Sequence, residues 1–213
     1  GTFRNVDAER FYPLISVLKT LDVEGVASGS WSLTGSPKAP VVKASVNTGA
    51  ARFRDLRLAK LGMNIEYSGN TLSMDPISIN AGGGRGTLAC NVALPVKRAD
   101  GTQSPTSWKL DGKVSRVDFS IINGLLKAGE DIGGEVSGTV TAGSAAGGGL
   151  DWSFDFTGDN VHWRNFKVQK INGAIEGNPR EILIKKADGI FLNGATTGSG
   201  RIEMPKDGEP FSG

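Results

Sequence analysis

Cysteine and histidine are almost absent from this chain of 213 residues, which has one of each. The single cysteine, Cys90, excludes an intrachain disulfide, and the single histidine, His162, leaves little from which to build a zinc site or a Ser-His-Asp triad. Lys and Arg number 24 against 22 for Asp and Glu. This near-neutral balance gives no general electrostatic argument for nucleic acid binding. The sequence also has no secretory signal and no apolar run long enough to cross a membrane.

Glycine, by contrast, is abundant: the chain has 31, roughly twice the usual share of glycine in proteins. The glycines follow no Gly-X-Y period, which excludes a collagen-like chain. Clusters such as Gly82-Gly83-Gly84 separate short runs in which apolar and polar residues alternate. A period of two is typical of strands with one apolar and one solvated face. The pattern therefore predicts a mostly-β fold built on a meandering antiparallel sheet.

The apolar residues of each predicted strand share one parity. In 150–157 they are Leu150, Trp152, Phe154 and Phe156, with polar residues between them. Two interpretations remain open: an ordinary core between two packed sheets, or an apolar face that stays open for lack of cover. An open face of more than a few hundred Å² is normally a binding site. The residues predicted to line such a groove are Trp31, Leu33, Met63, Ile65, Tyr67, Leu88, Val92, Leu150, Trp152, Phe154, Phe156, Ile182 and Ile184.

The two halves of the chain repeat one another. Phe53-Arg54-Asp55-Leu56 returns as Trp163-Arg164-Asn165-Phe166, and Ile65-Glu66 returns as Ile175-Glu176. Both pairs are separated by 110 residues, and we call this spacing the repeat offset. A long repeat of this kind indicates a quasi-one-dimensional array of stacked units. We predict two units, 1–100 and 101–213, and expect the chain to be a segment of a longer array.

Each unit begins with the only apolar spacing in it that is typical of a helix. Phe11, Leu14, Ile15 and Leu18 predict a helix over residues 10–19, and a shorter pattern predicts a second over 120–127. The predicted fold is therefore two tandem repeats of about 110 residues, each a short helix followed by a sheet.

Polar motifs give little support for catalysis. Gly82-Gly83-Gly84-Arg85-Gly86 resembles a phosphate-binding loop, but an alternating strand follows it where such loops need a helix, so we predict a hairpin turn. Asp151, Asp155 and Asp159 lack the loop and terminal Glu of a calcium site, and are expected on a solvated face. Cys90 has apolar parity and is expected to be buried and inert. We predict no catalytic residue, metal site or cofactor, and a protein that is not an enzyme.

A basic pattern recurs at the repeat offset. One interpretation is a basic row along one rim that meets anionic headgroups or a partner; the other is a solvated strand face that discourages edge-to-edge aggregation. The residues of this predicted basic rim are Arg54, Arg57, Lys60, Arg164, Lys167 and Lys170.

The order of these motifs resembles a known superfamily. Gly25-x-x-x-Gly29, followed by Leu33, Gly35 and Pro40, is similar to the glycine, leucine and proline rhythm of AsmA-like proteins, and among them the TamB type. The run from Asn70 through the glycine cluster to Leu94-Pro95 is similar as well. The match covers nearly the whole chain in two copies, although the second copy lacks the proline.

The resemblance implies a periplasmic, cell-envelope protein that is anchored to the inner membrane through a segment absent from this chain. It also implies an incurved sheet, called a β-taco, whose apolar groove carries phospholipid acyl chains between inner and outer membranes or supports outer-membrane protein assembly. The implied partners are phospholipid or another lipid, both membranes through flanking segments, and an outer-membrane barrel protein.

Two other classes of function compete with this prediction. A structural or adhesive β-repeat spacer would have a closed core and no lipid conduit. A carbohydrate-binding or carbohydrate-processing domain would need a carboxylate pair and aromatic platforms on an outward face, whereas Trp31, Trp152 and Trp163 have apolar parity.

Overall fold

The computed structural model describes residues 1–11, 23–53, 56–97, 101–120, 131–144, 149–191 and 194–203. These residues form one antiparallel sheet of thirteen strands. The strands are β1 (Thr2–Asp7), β2 (Val23–Ser36), β3 (Ala39–Phe53), β4 (Leu56–Leu58), β5 (Lys60–Ser68), β6 (Thr71–Ala81), β7 (Gly84–Ala93), β8 (Ser107–Asp118), β9 (Ile132–Ser144), β10 (Leu150–Trp163), β11 (Phe166–Gly177), β12 (Glu181–Phe191) and β13 (Gly194–Glu203).

The sheet is a meander in which successive strands are neighbours. β4 and β5 lie end to end against β3, so β1 and β13 form the two edges. Hairpin turns join many of the strands because glycine and asparagine adopt the positive φ values that tight turns need. Gly82 (φ 53°) and Gly83 (φ 74°) form the turn between β6 and β7. The prediction of a hairpin turn at this glycine cluster is confirmed.

The strand bounds recur between the two halves. β6 and β12 have the same length and are separated by the repeat offset, and so are β7 and β13. The irregularities of pairing recur too: the shift of register between Met74 and Ile77 in β6 corresponds to that between Ile184 and Ala187 in β12. The sheet passes without a break from one half to the other, because β7 pairs with β8 over nine successive residues, Arg85 to Ala93.

These irregularities keep apolar residues on one face. Leu72 and Met74 have even numbers, and Ile77 and Ile79 have odd numbers, so strict alternation would send the two pairs to opposite faces. A β-bulge at Asp75-Pro76 takes up the extra residue, and all four side chains stay on the same face.

A second type of bulge recurs near the start of each half. Asn5 in β1 and Arg116 in β8 have positive φ values of 52° and 54°. Each donates its backbone N–H to a serine hydroxyl on the next strand, Ser28 at 3.0 Å and Ser137 at 2.8 Å respectively. Repetition of the strained residue together with its hydrogen bond shows that the bulge is encoded by the repeated sequence.

The helical part of the predicted fold is not confirmed. Arg10 and Phe11 belong to a short 3-10 turn, Ala8–Phe11, and Ser120 lies in a turn after β8. The remainder of both predicted helices, 12–19 and 121–127, lies outside the described residues. The described residues therefore show a continuous sheet and not a tandem array of helix-plus-sheet units.

The described residues contain very little conventional core. The buried apolar residues are Ala27, Leu58, Ala81, Val117 and Val136, and none of the large side chains described has less than 2% of its surface exposed. The accessible surface is 14299 Å² for a chain of 22.3 kDa. A compact monomer of that mass would expose about 9,400 Å². This excess is expected of a sheet whose faces are not packed against a second layer.

Candidate functional site: an open apolar face

Cross-strand pairing defines which residues share a face of the sheet, because directly opposed residues point the same way. Starting from Ile65, the pairs lead to Ala44 on β3 and Met74 on β6, and onward in both directions. The result is a row of side chains that crosses the sheet from β2 to β13. Row one consists of Trp31, Ala44, Ile65, Met74, Cys90, Leu110, Ala142, Trp152, Gly177, Ile182 and Ile202.

Two further rows run parallel to row one on the same face. Row two consists of Phe3, Gly29, Val46, Met63, Ile77, Leu88, Gly112, Val140, Phe154, Ile175, Ile184 and Gly200. Row three consists of Val6, Ala27, Thr48, Leu61, Ile79, Gly86, Val114, Gly138, Phe156, Gly173, Ala187 and Gly198. These rows contain no charged residue, and Thr48 is their only hydroxyl. At about 4.8 Å per strand, row one is about 50 Å long.

The predicted groove residues all lie on this apolar face. Nine of them belong to rows one to three, namely Trp31, Met63, Ile65, Leu88, Trp152, Phe154, Phe156, Ile182 and Ile184. The other four lie beyond row one: Leu33, Tyr67 and Val92 are linked through Val42 and Leu72, and Leu150 pairs with Ser144.

Exposure varies along the apolar face. Leu33 is 61% exposed, Trp31 51% and Leu150 43%, whereas Ile65 and Phe154 are half-buried. None of the large side chains in rows one to three belongs to the buried core. The face is therefore apolar and open to solvent over the described residues.

Aromatic rings on this face lie over glycines of the adjacent strands. Phe154 and Phe156 stack with their ring centroids 5.1 Å apart and 12° between their planes. A Cβ at Gly173 would meet the ring of Phe156 at 2.5 Å, and one at Gly177 would meet the ring of Trp152 at 2.5 Å. The glycines thus provide the space in which large rings lie flat along the sheet, which smooths the apolar surface.

The opposite face is polar throughout the centre of the sheet. Lys43 forms an ion pair with Glu66 across β3 and β5 at 3.2 Å, and the Ser73 hydroxyl donates to Asn91 Oδ1 at 2.7 Å. The shallow hollows of the molecule lie over this face; one is lined by Lys43, Ser45, Asn64 and Glu66, among others. Charged and hydroxyl groups line these hollows together with apolar atoms, such as those of Trp31 and Ile65 in this one.

Cys90, Glu24 and Asp188 are among the titratable groups whose pKa is shifted with a clear cause. Burial raises the pKa of the Cys90 thiol, the only titratable side chain in rows one to three. Hydrogen bonds from Arg52 lower the pKa of Glu24. Lys186 and the Thr197 hydroxyl lower the pKa of Asp188. The two carboxylates lie outside the apolar rows, so their charges do not interrupt the face.

Groups that could support metal or acid-base chemistry are dispersed. In the described ranges, no three His, Cys, Asp or Glu side chains come together as a metal site would need. His162 Nε2 lies 3.4 Å from Asp131 Oδ1, and that carboxylate is 75% exposed. Asp151, Asp155 and Asp159 are exposed at alternating positions of β10.

The predicted basic residues lie near one end of the strands. Arg54 lies outside the described residues. Lys170 pairs with Asp159 and Lys167 with His162, and β10 has a register shift between these two partners, so the spacing of three does not send the lysines to opposite faces. Lys60 pairs with Asn80 on the polar side of β6. The basic rim stays a prediction.

Arg57 and Arg164 complete the basic set. Arg57 on β4 is exposed and opposes Arg52 on β3. Arg164 lies in the turn after β10, where its backbone N–H donates to the Asp131 carbonyl at 2.6 Å. Both arginines are exposed and lie outside the apolar rows.

The repeat and the rows are not aligned. Ile65 belongs to row one, whereas Ile175, its equivalent at the repeat offset, belongs to row two. Similarly, Val46 lies in row two and Phe156, its equivalent, in row three. Each row therefore passes through different positions of the repeat in the two halves.

Sequence alternation missed several members of the apolar face. Ile77 and Ile79 escape it because the bulge in β6 reverses their parity. Val140 lies in a strand whose alternation is obscured by glycines such as Gly138. Spacings of three between apolar residues, as in Val114 and Val117, mark such bulges and could have revealed the missing members.

Within the part of the chain that the structure describes, no helix has the length and apolar character needed to span a membrane. Comparison of the chain with protein-family models, with curated proteins and with solved structures finds no match.

Proposed function

We propose that the apolar face binds the acyl chains of phospholipids and provides a path along which they move. The observation that carries this proposal is that three apolar rows cross the sheet without a charged residue. Moving one methylene group from water to such a surface is worth about 0.8 kcal/mol. An acyl chain that slides along a row keeps a similar apolar contact at each strand, so no large barrier separates successive positions.

The chemistry of the face favours an acyl chain over a folded protein partner. Protein interfaces combine an apolar centre with hydrogen bonds, about one per 100–200 Å². Here the polar hydrogens of the side chains in rows one to three are only the hydroxyl of Thr48, the thiol of Cys90 and the indole N–H groups of Trp31 and Trp152. Headgroups would remain in water at the open side of the face.

The proposal extends to the setting of the protein. The resemblance to AsmA-like and TamB-type proteins supports an envelope protein that bridges inner and outer membranes, built from helix-plus-sheet repeat units with an incurved sheet. In this proposal the chain is a periplasmic segment, anchored to the inner membrane by a part of the protein outside this chain. An outer-membrane barrel is the proposed protein partner, and no catalytic step is involved.

A closed spacer is the main rival. A spacer would bury its large apolar side chains between two layers, whereas the large side chains of rows one to three are half-buried or exposed, and Leu33 beyond row one is 61% exposed. This openness favours a lipid-binding face over a filled core.

The proposal can be tested by photocrosslinking in cells. A photoreactive amino acid at Phe154 should give phospholipid adducts, because the side chain projects from row two. The same amino acid at Asp155 projects from the polar face and should give none. Mass spectrometry would identify the lipids. Absence of adducts from position 154 of a folded, expressed protein, or equal yields from both positions, would overturn the proposal.

A further inference from the structure

Among the residues that the structure describes, strand β13 is an exposed edge without the partner that its counterpart has. All ten of its residues are exposed. Its counterpart β7 has the same length and lies next to β6, as β13 lies next to β12. β7 also pairs on its other side with β8, whereas β13 pairs only with β12 within the described ranges. β13 therefore presents the edge that β8 covers on β7.

The edge has few features that resist pairing. Natural sheets protect edges with Lys, Pro, bulges or short strands. The first seven residues of β13, from Gly194 to Gly200, include no charge and no proline. Its charged residues are Arg201 and Glu203 at its end. β1, the other edge, has six residues and a bulge at Asn5, so it is much better protected.

The glycines of β13 indicate what kind of strand would fit. At Gly173 and Gly177, aromatic rings from the adjacent strand occupy the space where a Cβ would lie. At Gly198 and Gly200, by contrast, nothing lies within 4 Å of that position. The apolar rows therefore end at β13 over open glycines, which leave room for bulky side chains from one further strand.

The register of that strand follows from β7 and β8. Leu88 of β7 opposes Gly112 of β8, and a Cβ at Gly112 would collide with the Leu88 side chain. A large residue beside Leu88 thus requires a small one opposite. In β13 the equivalent of Leu88 at the repeat offset is Gly198. A small residue therefore lies on β13, and the opposing position of the next strand can hold a large one.

We propose that β13 accepts an antiparallel partner strand with apolar residues at alternate positions and a bulky one opposite Gly198. Its backbone would pair with the edge, and its apolar side chains would extend rows one to three. The observations on β13 that carry this proposal are independent of the proposed lipid path, since either could hold without the other.

The test uses two synthetic peptides and the whole chain. The first is β8 itself, residues 107–118, labelled with fluorescein. The second is the same peptide with Gly112→Phe, which is too large to replace β8 beside Leu88 but fits over Gly198. Fluorescence anisotropy should show the Phe peptide binding about tenfold more tightly than the Gly peptide, because only its ring fills the open space.

A matched protein variant assigns the site. Gly198→Val adds a side chain where there is open space, so the sheet should fold unchanged by circular dichroism. It should abolish the preference for the Phe peptide. Equal affinity of the two peptides, a preference that persists in Gly198→Val, or no binding by either at about 1 mM would overturn the proposal. If the chain alone self-associates and the Phe peptide reverses this association, the edge is occupied by a second copy of the chain. That result would also overturn the proposal.

Discussion

A charge in the middle of row one should interrupt lipid binding while leaving the sheet folded. Ile65 is half-buried between Ala44 and Met74. Full burial of an isoleucine contributes about 1.5–3 kcal/mol, so a half-open site contributes about half of that. Partial desolvation of the new carboxylate in Ile65→Asp adds a similar cost. We expect a loss of about 2–3 kcal/mol in the free energy of unfolding, less than the usual cost of placing a charge in a closed core.

The effect on lipid should be larger and local. A hydrated carboxylate keeps three or four methylene groups of an acyl chain off the row, which costs about 3 kcal/mol or about 100-fold in affinity. Cys90 reports this directly, because it lies in row one two strands from Ile65, about 10 Å away. Bound lipid should slow alkylation of the thiol, and Ile65→Asp should raise the half-protecting lipid concentration about 100-fold.

The matched control is Asn64→Asp, which places the same charge one residue away on the polar face, opposite Ser45. It should leave lipid protection of Cys90 unchanged. Ser153→Glu is a poorer control because Ser153 lies opposite Glu176. The prediction is contradicted if the same lipid concentration protects Cys90 in Ile65→Asp and in the unmodified chain. It also fails if Ile65→Asp unfolds the protein under conditions in which Asn64→Asp stays folded, since that result indicates a closed core.

Three further predictions concern stability. Gly138→Ala should destabilise the sheet by about 2 kcal/mol or more in chemical denaturation, because a Cβ there would collide with the neighbouring strand, whereas Gly49→Ala, with nothing within 4 Å, should change stability by less than about 1 kcal/mol. Leu58→Ala should cost about 2–3 kcal/mol because Leu58 is 7% exposed, and Leu33→Ala should cost well under about 1 kcal/mol at 61% exposure; equal costs would contradict an open face. Since an arginine lowers the pKa of Glu24 from its ordinary value of 4.5, its ionised form stabilises the fold above that pH, and this contribution is lost as pH falls through the lowered pKa. Glu24→Gln should therefore flatten this part of the pH dependence of unfolding.

Alternation was sufficient to predict many of the residues that share the apolar face, because side-chain direction in a regular strand depends only on parity and register. Trp152, Phe154 and Phe156 lie on that face as their spacing indicates. Alternation does not predict the face of residues beyond a bulge, because one extra residue reverses parity there, as between Met74 and Ile77. Register shifts depend on backbone pairing with the next strand, which a single strand's pattern does not contain.

The basic residues illustrate a different limit. Their recurrence at a constant offset suggests a spatial row, but an offset relates the two halves and says nothing about face. Lys167 and Lys170 are three residues apart in β11, and their faces depend on the register shift in β10 between their partners His162 and Asp159, which the sequence of β11 does not contain. Solvent exposure of the apolar face could not be predicted from the sequence either, because an alternating strand has the same pattern whether or not a second layer covers it.

The misalignment between repeat and rows has a consequence for damage to the face. Because Ile65 and Ile175 occupy equivalent positions but different rows, substituting both with a charge would block row one once and row two once, and row three would remain continuous. Substitutions at equivalent positions of the two halves are thus distributed over different rows and are not concentrated in one. A sheet arranged in this way loses capacity stepwise as substitutions accumulate, instead of failing at the first obstruction.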